Sequence, residues 1–373
     1  MKKTAFVYTD EYSQYDYGPT HPLRTYRLKV AYDLIDACGL LSLPQVLSVK
    51  PGKAGFEDLL RFHSREYLEV LQAVNSGIDL PYSSFYGLGP GDNPVFRGLF
   101  DWSSLVAGAS LKAASLVERG DADIAFNMAG GLHHAMSSKA SGFCYINDIV
   151  VAIVFLLQKG KRVAYLDIDA HHGDGVQAAF YRTDKVLTIS IHETGKVLFP
   201  GTGFEYETGE GEGEGYSVNI PMPPYSDDEL FLYVFDEVVP PLILKFRPDI
   251  VVAQLGVDSF MHDPLAHLNF TNNGFCEAVG RIKKIAPKWV ALGGGGYDVM
   301  NVAKAWTLAW AIMNDAAIPE MIPEEFVAGH GSEEILRRHM RDEPYLEKGI
   351  AKEQMREEVE RTVQFVKQKV LQG

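Results

Sequence analysis

Short runs of apolar and β-branched residues alternate along the chain with longer stretches whose pattern is typical of helices. Six of the short runs predict strands: 4–9, 123–128, 162–168, 186–192, 250–256 and 289–294. Three of the longer stretches predict helices: 104–120, 146–160 and 228–246. Strands that alternate with helices favour βα units, so we expect a three-layer α/β/α fold with a central, mainly parallel sheet. In the last helix, Pro240–Pro241 predicts a kink or an interruption.

The end of the chain has a different pattern. Val359, Val363, Val366 and Val370 follow one another at spacings of four and three, which predicts a charged helix with one apolar stripe packed on the body of the protein. We find no internal repeat and no long linker. The sequence therefore predicts a single domain over 1–373, with a helical tail from about 317.

Polar or glycine-rich segments follow five of the predicted strands. These segments contain the candidate catalytic and metal-binding residues: His133, His134, Asp169, His171, Asp258 and Tyr297. The carboxyl ends of parallel strands meet at one edge of a sheet, where open α/β proteins place their ligand sites. We therefore expect these segments to form one site.

The segment DIDAHHGDG, 167–175, places three carboxylates and two histidines close together after a strand that looks buried. Buried carboxylates are costly unless they are compensated, and a metal ion would compensate them. Asp169, His171 and Asp258 offer two oxygens and one nitrogen, which suits Zn²⁺ and leaves a fourth position for water or substrate. Taken singly, Asp169 could instead cap a helix and Asp258 could be a turn residue.

His133 and His134 are adjacent and are expected to project in different directions, so they are better suited to flanking a metal-bound water than to binding one metal. Each would need an acceptor for its second ring nitrogen. Asp167 and Asp174 are carboxylates of the right kind. The alternative is that both histidines are ordinary loop residues.

The segment GGGGY, 293–297, lacks the features of a phosphate-binding loop. Its glycines allow close approach to a substrate, with the Tyr297 hydroxyl as a donor to an oxyanion. The alternative is a tight structural turn. Phe143 and Phe199 could form a narrow apolar slot that accepts a neutral acylated lysine and disfavours a charged ammonium. They could equally be ordinary packing residues.

Composition excludes several classes of partner. The 373 residues carry a net charge of −14, which disfavours nucleic acid. Three distant cysteines imply no disulfide framework, so we expect a reducing cytoplasm. The longest apolar stretch, 149–157, is too short to cross a membrane, and no signal peptide is recognised.

Six motifs in this order, GLHHA, SGFCYIND, DIDAHHGDGV, FPGTG, QLGVD and GGGGY, resemble the class I-like, zinc-dependent histone deacetylases. HPLR (21–24) and the GDNP-like loop (91–94) extend the likeness to the bacterial acetoin-utilisation deacetylases, over about 5–315. The resemblance implies the arginase/deacetylase fold and hydrolysis of N-acetyl-lysine amides of proteins to lysine and acetate. It suggests acetyl-CoA synthetase as a substrate.

The resemblance also implies a role for each site residue. Asp169, His171 and Asp258 would bind Zn²⁺, or Fe²⁺ in the cell. His134, paired with Asp174, would act as general base and then acid, while His133, paired with Asp167, would assist electrostatically. Tyr297 would stabilise the oxyanion. The expected substrate contacts are Gly142, Phe143 and Phe199 in the tunnel, Leu265 at its side, Asp92 at the rim and Arg27 by the acetate exit.

Structural K⁺ is a further implication of the resemblance. The residues that match the inner potassium site are Asp167, Asp169, His171, Ser190 and Ile191. Those that match a second site are Phe180, Thr183, Val186 and Tyr216.

Three other functions are weighed against protein deacetylation. The resemblance implies that arginases and agmatinases share this fold. Their second manganese needs an acidic residue at the position two residues before Asp258, and this chain has Gly256 there. A deacetylase of acetylated polyamines or other small amines would use the same catalytic residues with a different rim. A non-catalytic binding protein would be expected to lack a ligand or the tyrosine, and every position is present here. The sequence leaves the physiological substrate, the acyl-chain preference and the oligomeric state open.

Overall fold

The computed structural model describes residues 2–330 and 338–371. In this part of the chain eight strands form one sheet, and every pairing is parallel. The strands are β1 (Thr4–Val7), β2 (Val46–Val49), β3 (Ile124–Asn127), β4 (Val163–Asp167), β5 (Val186–Glu193), β6 (Ser217–Met222), β7 (Ile250–Gln254) and β8 (Trp289–Leu292). Their order in the sheet is β2-β1-β3-β8-β7-β4-β5-β6.

All six predicted strands are present, and the two strands that the sequence pattern missed, β2 and β6, are the two edges of the sheet. β2 is only partly buried, so its pattern lacks the continuous apolar run of an interior strand. β6 contains Asn219 and Pro221, and proline is tolerated at a sheet edge because an edge strand has unpaired backbone groups.

Helices cover both faces of this sheet. They are α1 (Tyr26–Ala37), α2 (Phe56–Leu59), α3 (Arg65–Ala73), α4 (Leu99–Arg119), α5 (Asp148–Gln158), α6 (Asp174–Phe180), α7 (Asp228–Phe246), α8 (Asn272–Ile285), α9 (Val299–Met313), α10 (Glu324–His330) and α11 (Ile350–Val366). Short 3₁₀ turns lie at Asp10–Gln14, Ser83–Tyr86 and Gly211–Gly213, and a π-helical turn, Lys367–Leu371, follows α11.

Two apolar cores, one on each side of the sheet, confirm the three-layer α/β/α architecture. Successive strand residues alternate between them: Val163 and Tyr165 belong to the core that contains α5, whereas Ala164 and Leu166 belong to the core that contains α7, α8 and α9. This alternation is the two-residue period of a strand buried on both faces.

The expected interruption at Pro240–Pro241 does not occur, because α7 runs without a break from Asp228 to Phe246. Proline has no amide hydrogen, so two carbonyls of this helix lack their usual partners. Pro240 and Pro241 are only partly buried, and water can bind the carbonyls there. Val238, Val239 and Leu242, on the opposite side, are buried in the core and hold the helix in place. Apolar burial therefore outweighs the helix-breaking tendency of proline here.

The apolar stripe near the end of the chain packs as predicted. Val359, Val363, Val366 and Val370 are all buried in the core, and α11 lies against β6 and α7. Among the described residues no helix is both long enough and apolar enough to cross a membrane.

Candidate active site

Four neighbouring strands at the centre of the sheet deliver the candidate residues to one place. In sheet order these strands are β3, β8, β7 and β4. His133 and His134 follow β3, Tyr297 follows β8, Asp258 follows β7, and Asp169 and His171 follow β4. Because all four strands are parallel, their carboxyl ends meet at one edge, and the predicted convergence is realised there.

Asp169, His171 and Asp258 converge on one another. The Nδ1 atom of His171 lies 3.2 Å from Asp169 Oδ1 and 2.9 Å from Asp258 Oδ2. One donor atom from each residue lies within 4.8 Å of the others, and all three residues are buried. Two carboxylate oxygens and one imidazole nitrogen are a donor set that Zn²⁺ accepts, so the residues present fit a metal ion.

Neighbouring groups hold the two carboxylates in place. Asp169 Oδ2 accepts hydrogen bonds from Gln254 Nε2 at 2.6 Å and from the Gly295 amide at 2.8 Å. Asp258 Oδ1 accepts from the Ala170 amide at 2.8 Å. Supporting bonds of this kind orient metal ligands and are part of a working metal site.

Electrostatics also points to a cation between these carboxylates. Burial alone would lower the pKa of His171, but the charges of Asp258 and Asp169 outweigh burial and raise it well above its usual value. Two buried carboxylates this close together require a positive charge, whether from a proton on His171 or from a metal ion.

Gly256 bears on whether a second metal could bind as in the arginases. A Cβ atom built on Gly256 would lie 2.1 Å from Asp169 Oδ2. A side chain here would therefore require Asp169 to shift, and Gly256 offers no carboxylate at the position where a second manganese would need one.

His133 and His134 converge rather than project in different directions, so that expectation was wrong. Their Nε2 atoms lie 3.0 Å apart. The residues sit in a turn, where the alternation of side chains along a strand does not apply. His133 Nδ1 lies 2.8 Å from Asp167 Oδ2, and His134 Nδ1 lies 2.7 Å from Asp174 Oδ1, which are the two predicted pairings.

The histidines differ in protonation. Burial lowers the pKa of His133, but the charges of Asp167 and Asp169 outweigh it and raise the pKa to about 9. For His134, burial and the charge of His133 lower the pKa to about 4. The pair therefore holds one proton near neutral pH, and His134 is the ring that is able to accept another.

The loop that carries Tyr297 is held by two buried side chains, Arg27 and Asp263. Arg27 donates from Nη1 to the Gly296 carbonyl and from Nη2 to the Gly294 carbonyl, both at 2.7 Å. The Tyr297 amide donates to Asp263 Oδ2 at 2.9 Å. Burial and the charge of Asp258 raise the pKa of Tyr297 well above its usual value, so its phenol remains a hydrogen-bond donor.

A small cavity of about 20 Å³ joins these groups, which is room for about one water molecule. It is lined by Leu23, Arg27, Gly131, Leu132, His133, His134, Gly142, Phe143, Cys144, Asp169, His171, Gly294, Gly295 and Tyr297. The structure thus brings the histidine pair, two of the three candidate metal ligands and the tyrosine around one space.

A larger outer groove of about 510 Å³ shares Gly142 with this inner cavity. Phe199 and Asp92, both exposed, line the groove. The Phe199 ring stands edge-on to His134 with ring centres 5.0 Å apart, and the Phe143 ring stands edge-on to Tyr297 at 5.8 Å. Gly142 has φ +50°, and a Cβ there would lie 2.4 Å from His134 Cδ2, so this junction requires glycine.

Leu265 lies outside the inner cavity wall, and its amide donates to Asp263 Oδ1 at 3.0 Å.

The residues of the two expected potassium sites lie toward different ends of β5, with Val186 at its start and Ser190 and Ile191 in its second half. Asp167 and Ser190 are paired across β4 and β5, near the metal-ligand candidates, and Ile191 is next in β5. In the second set, Phe180 ends α6 and Val186 begins β5, while the Thr183 amide donates to the Phe180 carbonyl at 3.2 Å. The Tyr216 carbonyl accepts from the Thr188 amide at 2.9 Å.

Sequence reasoning did not single out several residues that support the site. Gln254 and Asp263 hold Asp169 and Tyr297, as described above, and Asn147 binds the loop of the histidine pair. A usable signal existed for Gln254, since it is a polar residue at the end of a buried strand inside the QLGVD motif. No periodic pattern marks Asp263, because its contact with Tyr297 joins two loops.

Fold and site together define an α/β protein with a candidate metal site at the carboxyl edge of a parallel sheet. The model of the histone deacetylase domain matches residues 21–313. The chain is 41% identical over 325 residues to histone deacetylase 9 of Arabidopsis thaliana, covering 86% of this chain and 76% of that one. It is 39% identical over 322 residues to histone deacetylase B of Dictyostelium discoideum, with the same coverage.

Solved structures agree with the sequence matches. The crystal structure of an HDAC homologue from Aquifex aeolicus is similar, with a TM-score of 0.89 and 34% identity over 98% of this chain and all of that one. The crystal structure of an HDAC homologue complexed with SAHA is also similar, with a TM-score of 0.88 and the same identity and coverage. The protein belongs to the histone deacetylase family, whose domain is that of a deacetylase hydrolase.

Proposed function

We propose that this protein is a zinc-dependent deacetylase that hydrolyses N-acetyl-lysine amides of proteins to lysine and acetate. The observation that carries the proposal is the small cavity around which His133, His134, Asp169, His171 and Tyr297 converge. An amide hydrolase needs a proton acceptor, a donor for the developing oxyanion and a means of activating water, and candidates for all three are present.

Asp169, His171 and Asp258 would bind the metal. When bound, Zn²⁺ supplies Lewis-acid polarisation of a carbonyl and activation of water. Fe²⁺ would serve the same chemistry in the cell. The donor set and the glycine at position 256, where a Cβ would press on Asp169 Oδ2, favour one catalytic metal over the two of an arginase.

His134 would act first as general base and then as general acid. It is neutral near pH 7, because burial and the charge of His133 lower its pKa, and Asp174 fixes its Nδ1 nitrogen. Its Nε2 atom carries no proton of its own and lies 3.0 Å from His133 Nε2, so it is the acceptor nitrogen of the pair. His133, held by Asp167, would keep its proton and supply a positive charge as negative charge develops on the substrate.

Tyr297 would donate its hydroxyl hydrogen to the oxyanion. The high pKa of the buried phenol keeps this hydrogen in place. Arg27 and Asp263 would fix the loop, since three of its backbone groups are bonded to these side chains.

Phe143, Phe199 and Gly142 would line the tunnel, with Leu265 at its side, Arg27 by the acetate exit and Asp92 binding the substrate backbone at the rim. A neutral acetyl-lysine chain gains about 0.8 kcal/mol for each buried methylene, whereas a free ammonium loses far more hydration energy. Such a tunnel would bind the substrate and release the charged product.

The rim favours a protein substrate over an acetylated polyamine. The charged residues that line the outer groove are Asp92 and Lys139, one of each sign. A polyamine is a polycation, and a groove with no excess of carboxylates offers it little attraction. Acetyl-CoA synthetase remains the target suggested by the acetoin-utilisation likeness.

We further propose that the chain is one domain with its tail packed on it, that it works in the cytoplasm, and that two K⁺ ions bind the sets of residues described above. The carboxylates Asp167 and Asp169 support the inner potassium site, since Asp167 is paired with Ser190 across β4 and β5 and its Oδ1 accepts from the Asp169 amide.

The proposal is tested by measuring acetate release from an acetyl-lysine peptide and from N-acetylputrescine, with zinc-loaded protein and with protein treated with a chelator. We expect the peptide to be turned over at least tenfold faster and activity to disappear with the metal. Faster turnover of N-acetylputrescine would show that the substrates are small acetylated amines. No turnover of either substrate with zinc bound would refute deacetylation.

A further inference from the structure

Two adjacent residues at the start of α5 bind the backbone of the loop that carries the histidine pair. Asn147 Nδ2 donates to the carbonyls of His133 at 3.1 Å and Ala135 at 3.0 Å. Asp148 accepts from the amides of Gly131 at 3.1 Å and Leu132 at 2.8 Å. Two side chains therefore fix four backbone groups on both sides of the histidine pair.

These two residues are themselves rigidly held. Both are completely buried. The Asn147 amide donates to His63 Nε2 at 3.0 Å, and its Oδ1 accepts from the Val150 amide at 3.1 Å. Asp148 also accepts from Ser110 Oγ at 2.5 Å, and Ser110 accepts from Asn127 Nδ2 at 2.9 Å. A shift of the loop would therefore have to break several of these hydrogen bonds.

Capping of α5 does not account for this arrangement. A helix cap needs one acceptor, which Asn147 Oδ1 supplies to Val150, so its two N–H donors are not required for the cap. Asp148 gains a favourable interaction with the helix N-terminus, but that effect needs no burial. A completely buried carboxylate is costly, and its hydrogen bonds here go to the Gly131–Leu132 backbone and to Ser110.

We propose that Asn147 and Asp148 are positioning residues that set where the imidazoles of His133 and His134 stand. Asp167 and Asp174 orient the two rings through their Nδ1 atoms. The position of each ring also depends on the backbone to which its side chain is attached. Together these contacts keep the two Nε2 atoms 3.0 Å apart and His133 Nε2 3.9 Å from Asp169 Oδ1. Misplacing a catalytic group by about 1 Å can cost about 10²-fold in rate. This inference rests on the deacetylase function proposed above.

The test uses Asn147→Asp, which keeps the capping oxygen for Val150 but places a second carboxylate oxygen, instead of an N–H₂ group, against the two carbonyls. We expect kcat to fall about 10- to 100-fold, with KM within twofold and zinc content unchanged. Asp148→Asn keeps an acceptor for the Leu132 amide and should lose less than about tenfold. Where Asn147→Asp does not fold, Asn147→Ser, which keeps the cap, carries the same test.

Ser64→Ala is the matched control, because it removes the hydroxyl that caps α3 through the Tyr67 amide, while the Ser64 amide keeps its hydrogen bond to the Ser137 carbonyl. It should lower the melting temperature and leave kcat unchanged. The low-field imidazole N–H resonances of ¹⁵N-histidine-labelled protein give a second readout, since displaced rings would weaken their bonds to Asp167 and Asp174.

An Asn147→Asp protein that keeps kcat within twofold, or that shows unchanged imidazole resonances, would overturn the positioning role. A wild-type protein without deacetylase activity would refute the proposed function instead. In that case the resonances alone decide whether Asn147 positions the histidines.

Discussion

The Nε2 atoms of His133 and His134 lie 3.0 Å apart, while the Nδ1 atom of each ring contacts its own aspartate. Two neutral rings bonded in this way would point two lone pairs at each other, so the pair is stable with one proton between them. Asp167 and Asp169 favour that proton on His133. The arrangement makes two adjacent residues of the same type chemically different.

The metal assignment predicts different effects for two aspartates of the site. Asp258→Ala removes one of three converging donors, and we expect bound zinc to fall below 0.1 per chain with activity lost. Asp174→Asn is the control, because it contacts His134 but not the triad, and it should retain zinc while losing activity. Metal content by elemental analysis distinguishes them. Full zinc in Asp258→Ala would refute its assignment as a ligand.

His63 predicts part of the acid sensitivity of the fold. Burial lowers its pKa from 6.5 to about 4, and its Nε2 accepts from the Asn147 amide, which a proton there would prevent. The folded state thus binds the proton more weakly than the unfolded state. Its stabilising contribution is complete above about pH 6.5 and is lost as the pH falls toward about 4.

Between pH 7.5 and pH 5 this contribution amounts to about 2 kcal/mol of unfolding free energy. His63→Gln keeps an acceptor for Asn147 but does not titrate, so it should lose about 2 kcal/mol less than the wild type over that range. Urea unfolding at both pH values measures the difference. Equal losses in the two proteins would show that His63 is not the titrating group.

The tail contributes to stability through its apolar stripe. Val363 is completely buried, so Val363→Ala should lower the free energy of unfolding by about 1–3 kcal/mol. Glu360→Ala, on the exposed side of the same helix, should change it by less than about 0.5 kcal/mol. Denaturant unfolding tests the pair. Equal effects would mean that the stripe does not pack on the body in solution.

What could be predicted from the sequence follows the physics of each feature. The interior strands can be recognised because burial on both faces requires continuous apolar runs. The edge strand β2 is largely exposed, and the apolar run of the buried edge strand β6 is interrupted by Asn219 and Pro221. The residues at strand ends could be placed together because parallel strands share an edge. The direction of the His133 and His134 rings could not be predicted. It depends on the turn and on Asn147, which is 14 residues away from His133 along the chain.

The most direct test of the account is acetate release from an acetyl-lysine peptide by zinc-loaded wild-type protein and by its Tyr297→Phe variant. The variant removes only the hydroxyl that would bind the oxyanion. The account predicts turnover by the wild type and a kcat about 10²- to 10³-fold lower in the variant, with zinc retained. A loss of less than about threefold would contradict the role of Tyr297, and a zinc-loaded wild type that releases no acetate would contradict the function itself.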